Sequence, residues 1–184
     1  MASLGPNSPS TIISDSSSGG STDWSSQSNA SVNDCVEALC TMAVSTQSYY
    51  LKATNFGFNV SSDVTINGIL VEIKWWDSQS SNKVQDWKVR IIKGGTISTT
   101  EMASGQIANG ILTCSTSDPY DSYGSSSSLW GETWTPADIN VTNFGFAFAC
   151  QNLDTGLSRS ARIDHIRTTI YYTLPTTGNF FQLF

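Results

Sequence analysis

The sequence predicts an all-β protein, a jelly-roll-type β-sandwich of about eight strands. Within residues 161–173, Ile166, Thr168, Ile170 and Tyr172 alternate with more polar side chains, which is the period of two of a half-buried strand. No long stretch has the apolar period of a helix, and segments rich in turn-forming residues separate the strand-like runs. Together these observations indicate a sandwich rather than a helical or mixed fold.

Residues 1–22 are predicted to form an extended N-terminal arm outside the sandwich. Ser, Gly and Pro dominate this segment, and such a composition cannot bury enough apolar surface to fold alone. Two interpretations stay open. The segment is either a flexible tail or an arm that becomes ordered only against a neighbouring subunit, with Leu4, Ile12 and Ile13 as anchors.

Residues 23–173 are expected to form the sandwich itself. In chain order, its main predicted strands are residues 35–44, 49–56, 69–76, 84–93, 144–151 and 162–173. The third and fourth of these are expected to pair as a hairpin-like unit closed by Gly94 and Gly95. Alternation in the fourth strand directs Trp87, Val89 and Ile91 toward the core.

Local signals refine three parts of this sandwich. Ile163 and Ile166 interrupt the alternation of the last strand, which predicts a β-bulge at Asp164 and His165. Residues 134–139 predict a single helical turn, because a threonine can cap it and a proline suits its first position. The segment before that turn, residues 96–131, is expected to be mostly loop with one or two short strands.

The composition points to an exterior surface. Charged residues make up 13% of the chain, about half of the usual ~25%, and neutral Ser, Thr, Asn and Gly replace them. The net charge of −6 argues against nucleic acid and anionic membranes as partners, because no basic stripe is present to bind phosphates. We expect an extracellular or particle-surface protein rather than a cytosolic enzyme.

Targeting signals are not expected in this chain. Its start lacks the basic residues and the apolar run of a secretory signal, and no apolar run reaches the ~20 residues of a membrane span. A protein that is made in the cytoplasm without export, yet has an exterior type of surface, is typical of a virus particle component.

The four cysteines are not expected to form a disulfide framework. Cys35 and Cys40 are too far apart for a Cys-x-x-Cys pair, and Cys114 and Cys150 stand alone in the sequence. Cys40 and Cys150 are predicted to be buried free thiols that act as small apolar side chains. With one histidine in the chain, a mixed zinc site has few ligands to use.

Catalysis is not expected. Asp164 and His165 are adjacent, so they point to opposite faces of a strand, and the aspartate cannot orient the imidazole unless the bulge rearranges them. No Gly-x-Ser-x-Gly motif is present to mark a serine nucleophile. The preferred interpretation is structural, with Asp164 accepting hydrogen bonds at the bulge from the backbone or from Arg162.

Two further kinds of site, for a metal ion and for a glycan, depend on the aspartates and tryptophans of the chain. Asp118, Asp121 and Asp138 lack regular ligand spacing, and turn formation explains them equally well, so no metal or cofactor is expected. Trp76 and Trp24 are the candidates for stacking on a sugar ring, because Trp75 and Trp87 are expected to face the core. Trp130 and Trp134 are interpreted as structural plugs under the loops. Protein contact explains an exposed tryptophan at least as well.

A set of short motifs resembles a β-sandwich domain that recurs in structural proteins of tailed bacteriophages. The motifs occur in order between residues 4 and 173, at residues 4–9, 50–58, 66–69, 129–131, 134–140, 143–145 and 161–166. The resemblance implies a β-sandwich in a virion or other surface protein, without one shared activity.

The chain departs from that family pattern in ways that suggest a contact surface. Leu70 and the pair Trp75-Trp76 stand where charged or polar residues are usual. Residues 174–184 form a C-terminal tail beyond the common domain, expected to pack on a neighbouring chain because exposed apolar clusters mark interfaces. The predicted interface residues are Leu4, Ile12, Ile13, Leu70, Trp76, Phe180, Phe181, Leu183 and Phe184.

Three functions are compatible with these observations. The resemblance favours a non-enzymatic virion protein, in particular a capsid decoration (cement) protein that binds the major capsid protein and copies of itself as a homotrimer. It would be assembled in the host cytoplasm and exposed on the particle surface. The alternatives are a tail, fibre or baseplate component that contacts a host glycan, and a free carbohydrate-binding module or hydrolase.

Overall fold

The computed structural model describes residues 1–77, 79, 81–110 and 113–175. Its ten strands form two antiparallel sheets with one hydrophobic core between them, which confirms the predicted all-β sandwich. The part of the tail with Phe180, Phe181, Leu183 and Phe184 lies outside the described residues.

Sheet A has the order β1-β10-β5-β8, and β3 pairs with the first part of β10. Its strands are β1 Ala2–Asn7, β3 Ala38–Met42, β5 Thr65–Asp77, β8 Asp121–Gly124 and β10 Arg159–Thr173. Sheet B has the order β2-β4-β9-β6-β7. Its strands are β2 Thr11–Asp15, β4 Tyr50–Thr54, β6 Val84–Lys93, β7 Thr96–Ile97 and β9 Gly145–Asn152.

The N-terminal segment belongs to the sandwich, so the prediction of an arm with few contacts to its own domain is wrong. Strand β1 pairs with β10, with Leu4 opposite Ile170, and β2 pairs with β4, with Ile12 opposite Ala53. Leu4 and Ile12 also pack against the core. An edge strand gains order from the backbone hydrogen bonds of its neighbour, which composition does not reveal.

The core follows the predicted alternation in most strands. Phe146, Phe148 and Cys150 of β9 are buried between the sheets, and the Phe148 ring packs edge-to-face against Trp75 of β5 at a centroid distance of 4.9 Å. Aromatic pairs of this geometry add about 0.5–1.5 kcal/mol to the burial of their area. The face of β10 that carries Ile166 and Ile170 is buried in the same core.

Two predictions about β6 are wrong. Strands β5 and β6 belong to different sheets, so they form no hairpin, and Gly94 and Gly95 instead connect β6 to β7. The register of β6 against β9 shifts between Asp86 and Lys88. This bulge turns Trp87 away from the core and onto the other face of sheet B, where it is half-buried beside a small cluster with Ile92.

Other local predictions are confirmed. The register of β10 against β5 shifts between Ile163 and His165, at the predicted bulge. The helical turn α1, Pro136–Ile139, is capped by Thr135, whose side chain accepts from the N–H of Asp138 at 3.3 Å. The Asp138 carboxylate accepts from the Thr135 N–H in return, at 2.8 Å.

The two tryptophans of the predicted loop plugs are buried as expected. Trp130 Nε1 donates to the carbonyl of Ile69 at 2.9 Å, and Trp134 Nε1 donates to the carbonyl of Leu129 at 2.9 Å. Each indole therefore fixes a loop while its ring fills the end of the core.

Candidate functional site

Loops cover the outer face of sheet A, the face directed away from the core. Residues 25–37 lie against β10, where Ser31 forms an isolated bridge with His165. Residues 8–10, between β1 and β2, and residues 113–120, before β8, reach the same part of β10 through their side chains. Polar side chains from distant parts of the chain therefore meet at the β-bulge of β10.

His165 is hydrogen-bonded through both of its ring nitrogens. Nε2 lies 2.8 Å from Ser8 Oγ, and Nδ1 lies 2.7 Å from the Tyr120 hydroxyl. Burial lowers the pKa of His165, and the cations of Arg167 and Lys74 lower it further. A lowered pKa favours the neutral imidazole, in which one ring nitrogen donates and the other accepts, and this form suits both partners.

A buried ion pair lies beside this histidine. Lys74 Nζ is 3.1 Å from Asp164 Oδ2, and both side chains are fully buried. The two groups are close without the alignment of a hydrogen bond, and Lys74 donates instead to Asn33 Oδ1 at 2.6 Å. Asp164 Oδ1 accepts from the backbone N–H groups of Asp34 at 3.3 Å and Cys35 at 2.6 Å. Because buried charges require partners, the pair holds this loop against the sheet.

Arg167 holds Tyr120 from its other side. Arg167 binds Glu72 with two hydrogen bonds, of 2.9 Å from Nε and 2.8 Å from Nη2. Its guanidinium carbon lies 3.9 Å from the centroid of the Tyr120 ring, a cation–π contact. Tyr120 is therefore fixed at its hydroxyl by His165 and at its ring face by Arg167.

A disulfide joins two of these loops. Cys35 and Cys114 are bonded, with their Cα atoms 5.6 Å apart, so the prediction that the cysteines form no disulfide is wrong for this pair. They are separated by 79 residues, and the fold alone brings their loops together. Cys40 and Cys150 are buried free thiols, as predicted, and burial raises the pKa of Cys150 to about 12.

Ser8 and His165 resemble a nucleophile and its base in distance alone. Asp164 does not orient the imidazole, which agrees with the prediction that adjacent strand residues point to opposite faces. Its carboxylate faces Lys74 and backbone N–H groups. The phenol of Tyr120 occupies that position instead. Neither of the two grooves on sheet B is lined by Ser8 or His165. These contacts hold the surrounding loops on β10, and the group is here called the clasp; it consists of Ser8, Cys35, Lys74, Cys114, Tyr120, Asp164 and His165.

Sequence reasoning missed Ser8, Asn33, Lys74 and Tyr120 as members of this network. Alternation predicts that Lys74 faces outward on β5, which is correct, but the loops above it bury its ammonium group. No local pattern marks the other three, because each one lies in an irregular segment far from β10 in sequence. Arg162 does not bind Asp164 and pairs instead with Glu37 at 3.3 Å.

The predicted interface residues have different positions. Ile13 is 49% exposed, Leu70 is half-buried, and Leu4 and Ile12 are half-buried against the core. Trp76 is only 2% exposed, so its prediction as a contact or sugar-stacking residue is wrong. Beside Trp76, on the side of β5 away from β10, the chain forms an isolated bridge with Asn109 that extends the sheet.

Ile13 stands between two grooves on sheet B. An open groove of about 400 Å³ runs beside β2 and is lined by Ile12, Ile13, Ser14, Ser16, Asp23, Gln27 and Tyr49. A smaller groove of about 190 Å³ lies on the other side, with Ile92 and Asn143 among its lining residues. Trp24, the second sugar-stacking candidate, is 2% exposed and is not available to a ligand in either groove.

The three aspartates named above as possible metal ligands have separate structural partners. Asp118 accepts from the N–H of Ser115 at 2.7 Å, Asp121 accepts from Trp75 Nε1 at 2.7 Å, and Asp138 caps α1. Among the described residues, donor atoms of Cys35, Cys114 and Asp164 do lie within 4.8 Å of one another. The two sulfurs are bonded to each other, so this group does not offer a thiolate pair to a metal.

Within the part of the chain that the structure describes, no helix has the length and apolar character needed to cross a bilayer.

A scan against protein-family models finds no match, and a search among curated proteins finds none either. The resemblance to the tailed-phage β-sandwich domain therefore stays a prediction from the motifs.

Proposed function

We propose that this protein is a non-enzymatic structural component of a bacteriophage particle, specifically a capsid decoration protein. In this role it binds the major capsid protein and copies of itself, as a homotrimer, on the particle surface. The observation that carries the proposal is the clasp on the outer face of sheet A. There, the polar and ionisable side chains make intramolecular contacts that fix loops on the sheet.

The clasp restricts the motion of the loops around β10. A disulfide, a buried ion pair and the hydrogen bonds of His165 attach loops 8–10, 25–37 and 113–120 around β10. These connections close long loops, so they reduce the number of conformations open to the chain. A decoration protein that spans capsid subunits under internal pressure needs this kind of stiffness, because a deformable part transmits little load.

The surface supports the same role. It exposes aliphatic side chains such as Val32, Val36 and Leu157, while the chain as a whole carries few charges. Weak contacts of this kind hold a lattice when one assembly makes several of them at once, because the later contacts form at high effective concentration.

Antibody labelling of purified particles tests the location. An antibody raised against the recombinant protein is expected to decorate heads in negative-stain images, at many sites per particle. Particles made without the protein serve as the control. Labelling confined to the tail, or no labelling, would contradict the proposal.

A second candidate function rests on the groove beside β2. Its lining combines the half-buried ring of Tyr49 with Asp23 and Gln27, side chains that bind sugar hydroxyls. This observation favours a tail or fibre component that contacts a host glycan. A glycan array tests it, with Tyr49→Ala expected to abolish any signal, whereas an empty array with the wild-type protein would remove this candidate. A free carbohydrate-binding module is favoured less, since Trp24 and Trp76 are buried.

A further inference from the structure

One end of the sandwich carries a group of exposed aliphatic side chains, here called the end patch. It consists of Val44, Leu153 and Leu157, whose exposed fractions are 39%, 40% and 60%. Val44 lies in the connection from β3 to β4, and the two leucines lie in the connection from β9 to β10. The two connections meet directly, because the N–H of Ser45 donates to the carbonyl of Asp154 at 3.1 Å.

A buried amide holds the two connections together. Asn152 is 2% exposed, and its Nδ2 donates to the carbonyl of Ala43 at 2.9 Å and to that of Leu157 at 3.0 Å. Its Oδ1 accepts from the N–H of Asp154 at 2.8 Å. The aliphatic side chains are therefore presented by a fixed backbone, which reduces the entropy lost when a partner binds.

Asp154 fixes the same loop a second time. Its carboxylate accepts from the N–H groups of Gly156 at 2.9 Å and Leu157 at 3.1 Å, and from Arg159 Nε at 2.9 Å. These hydrogen bonds, the one from Gly156 first, lower the pKa of Asp154 to about 2. The polar groups of this loop therefore bind one another within the loop, and its aliphatic side chains are exposed to solvent.

The geometry of β10 restricts which segment can cover the end patch. Leu157 precedes β10 by two residues, and the tail follows its other end at Thr173. The strand has 15 residues, so its two ends are about 45 Å apart. Counted from Thr173, Phe181 lies eight residues further along the chain, which spans at most about 29 Å when fully extended, and Phe184 lies eleven residues further, at most about 40 Å. Phe180 and Phe181 therefore fall well short of the patch of their own chain.

We propose that the end patch binds the C-terminal tail of a second copy of this chain, through Phe180, Phe181, Leu183 and Phe184. The patch is aliphatic and rigid, and these four side chains are the apolar group at the end of the tail. The contact joins different surfaces of the two copies, and a contact of this type closes into a ring when the rotation between successive copies completes a circle, as the homotrimer of the proposed function requires. The inference rests on the self-association part of the proposed function and gives the trimer a specific interface.

Sedimentation velocity of four proteins tests this contact. The wild type is expected to be trimeric, and both Leu157→Asp and a chain truncated after Pro175 are expected to be monomeric. Val141→Asp is the matched control, because Val141 is 44% exposed and lies outside the end patch, so this variant should stay trimeric. Leu153→Asp provides a second patch variant, and circular dichroism verifies that each protein is folded.

A mixing experiment identifies the direction of the contact. The truncated chain keeps its patch and Leu157→Asp keeps its tail, so an equimolar mixture is expected to form a heterodimer with one contact. A monomeric wild type, oligomers of either variant alone, or a mixture that stays monomeric would each overturn the inference. Particle labelling is independent of these results: a ring that forms in solution without binding to heads would contradict only the proposed function.

Discussion

On the outer face of sheet A, buried polar groups hold loops down on the strands, whereas at the end patch a buried amide holds loops so that aliphatic side chains stay in solvent. The first region contains Lys74 and Asp164 at 0% exposure, and the second contains Leu157 at 60%. In both regions the polar atoms make intramolecular bonds. Stability and recognition therefore depend on different regions of this molecule. Variants of the clasp should lower the free energy of unfolding, and variants of the end patch should leave the domain folded.

The largest expected effect follows from breaking the buried ion pair. Asp164→Ala leaves the Lys74 ammonium buried without a counter-charge, so the free energy of unfolding should fall by about 3–5 kcal/mol. Urea unfolding followed by tryptophan fluorescence measures it. The matched control is the double variant Asp164→Leu with Lys74→Met, which removes both charges and should regain part of the loss, because the N–H groups of Asp34 and Cys35 still lose their acceptor. A single variant as stable as the wild type would refute a structural role for the pair.

The disulfide should give the next largest effect. Replacing Cys35 and Cys114 by serine is expected to lower the free energy of unfolding by about 2–4 kcal/mol, because the bond closes a long loop in the unfolded chain. Reductant should lower the unfolding midpoint of the wild type in the same way. It should not change the midpoint of the serine variant, since Cys40 and Cys150 are already free thiols. Equal midpoints of oxidised and reduced wild type would contradict this expectation.

A smaller, pH-dependent effect is expected at His165. Its pKa is lowered in the folded protein, so as the pH falls below about 6.5 the unfolded chain takes up the proton first. The contribution of neutral His165 to stability is therefore present above that pH and is lost below it, down to the folded pKa. His165→Gln should flatten the dependence of the unfolding midpoint on pH in this window. A wild type whose stability rises as the pH falls there would contradict the sign.

The smallest expected effect belongs to the end patch. In the chain truncated after Pro175, which is expected to be monomeric with or without the substitution, Leu157→Asp should change the free energy of unfolding by less than about 0.5 kcal/mol, because the side chain is mostly in solvent. The same urea titration measures it, beside Asp164→Ala under identical conditions. A loss of several kcal/mol would mean that the patch belongs to the core of its own domain, and the separation between the two regions would fail.

The sequence allowed most of the inner architecture to be predicted. Alternating apolar residues located β6 at residues 84–93 and the buried face of β10, and the broken alternation located the bulge at Asp164. These features depend on burial, which the order of side chains records directly. The cap of α1 by Thr135 was also predictable, because capping is a local interaction.

The features that could not be predicted depend on long-range pairing. Strands β1 and β2 are ordered by hydrogen bonds to β10 and β4, so their polar composition gave a misleading expectation of an arm. The predictions for Trp76 and for the cysteines Cys35 and Cys114 were wrong for a related reason. The segments that lie beside these residues come from distant parts of the chain. The clasp around His165 has no local signature because Ser8 and Tyr120 are 157 and 45 residues away from it.

The most direct test of the whole account is the heat resistance of particles stripped of this protein and then supplied with purified copies. DNA release on heating is measured with a dye that fluoresces when it binds DNA. Wild type and Val141→Asp are expected to restore the release temperature of complete particles, while folded Leu157→Asp is expected to restore less. If stripped particles release DNA at the same temperature with and without the wild-type protein, the decoration role proposed here is wrong.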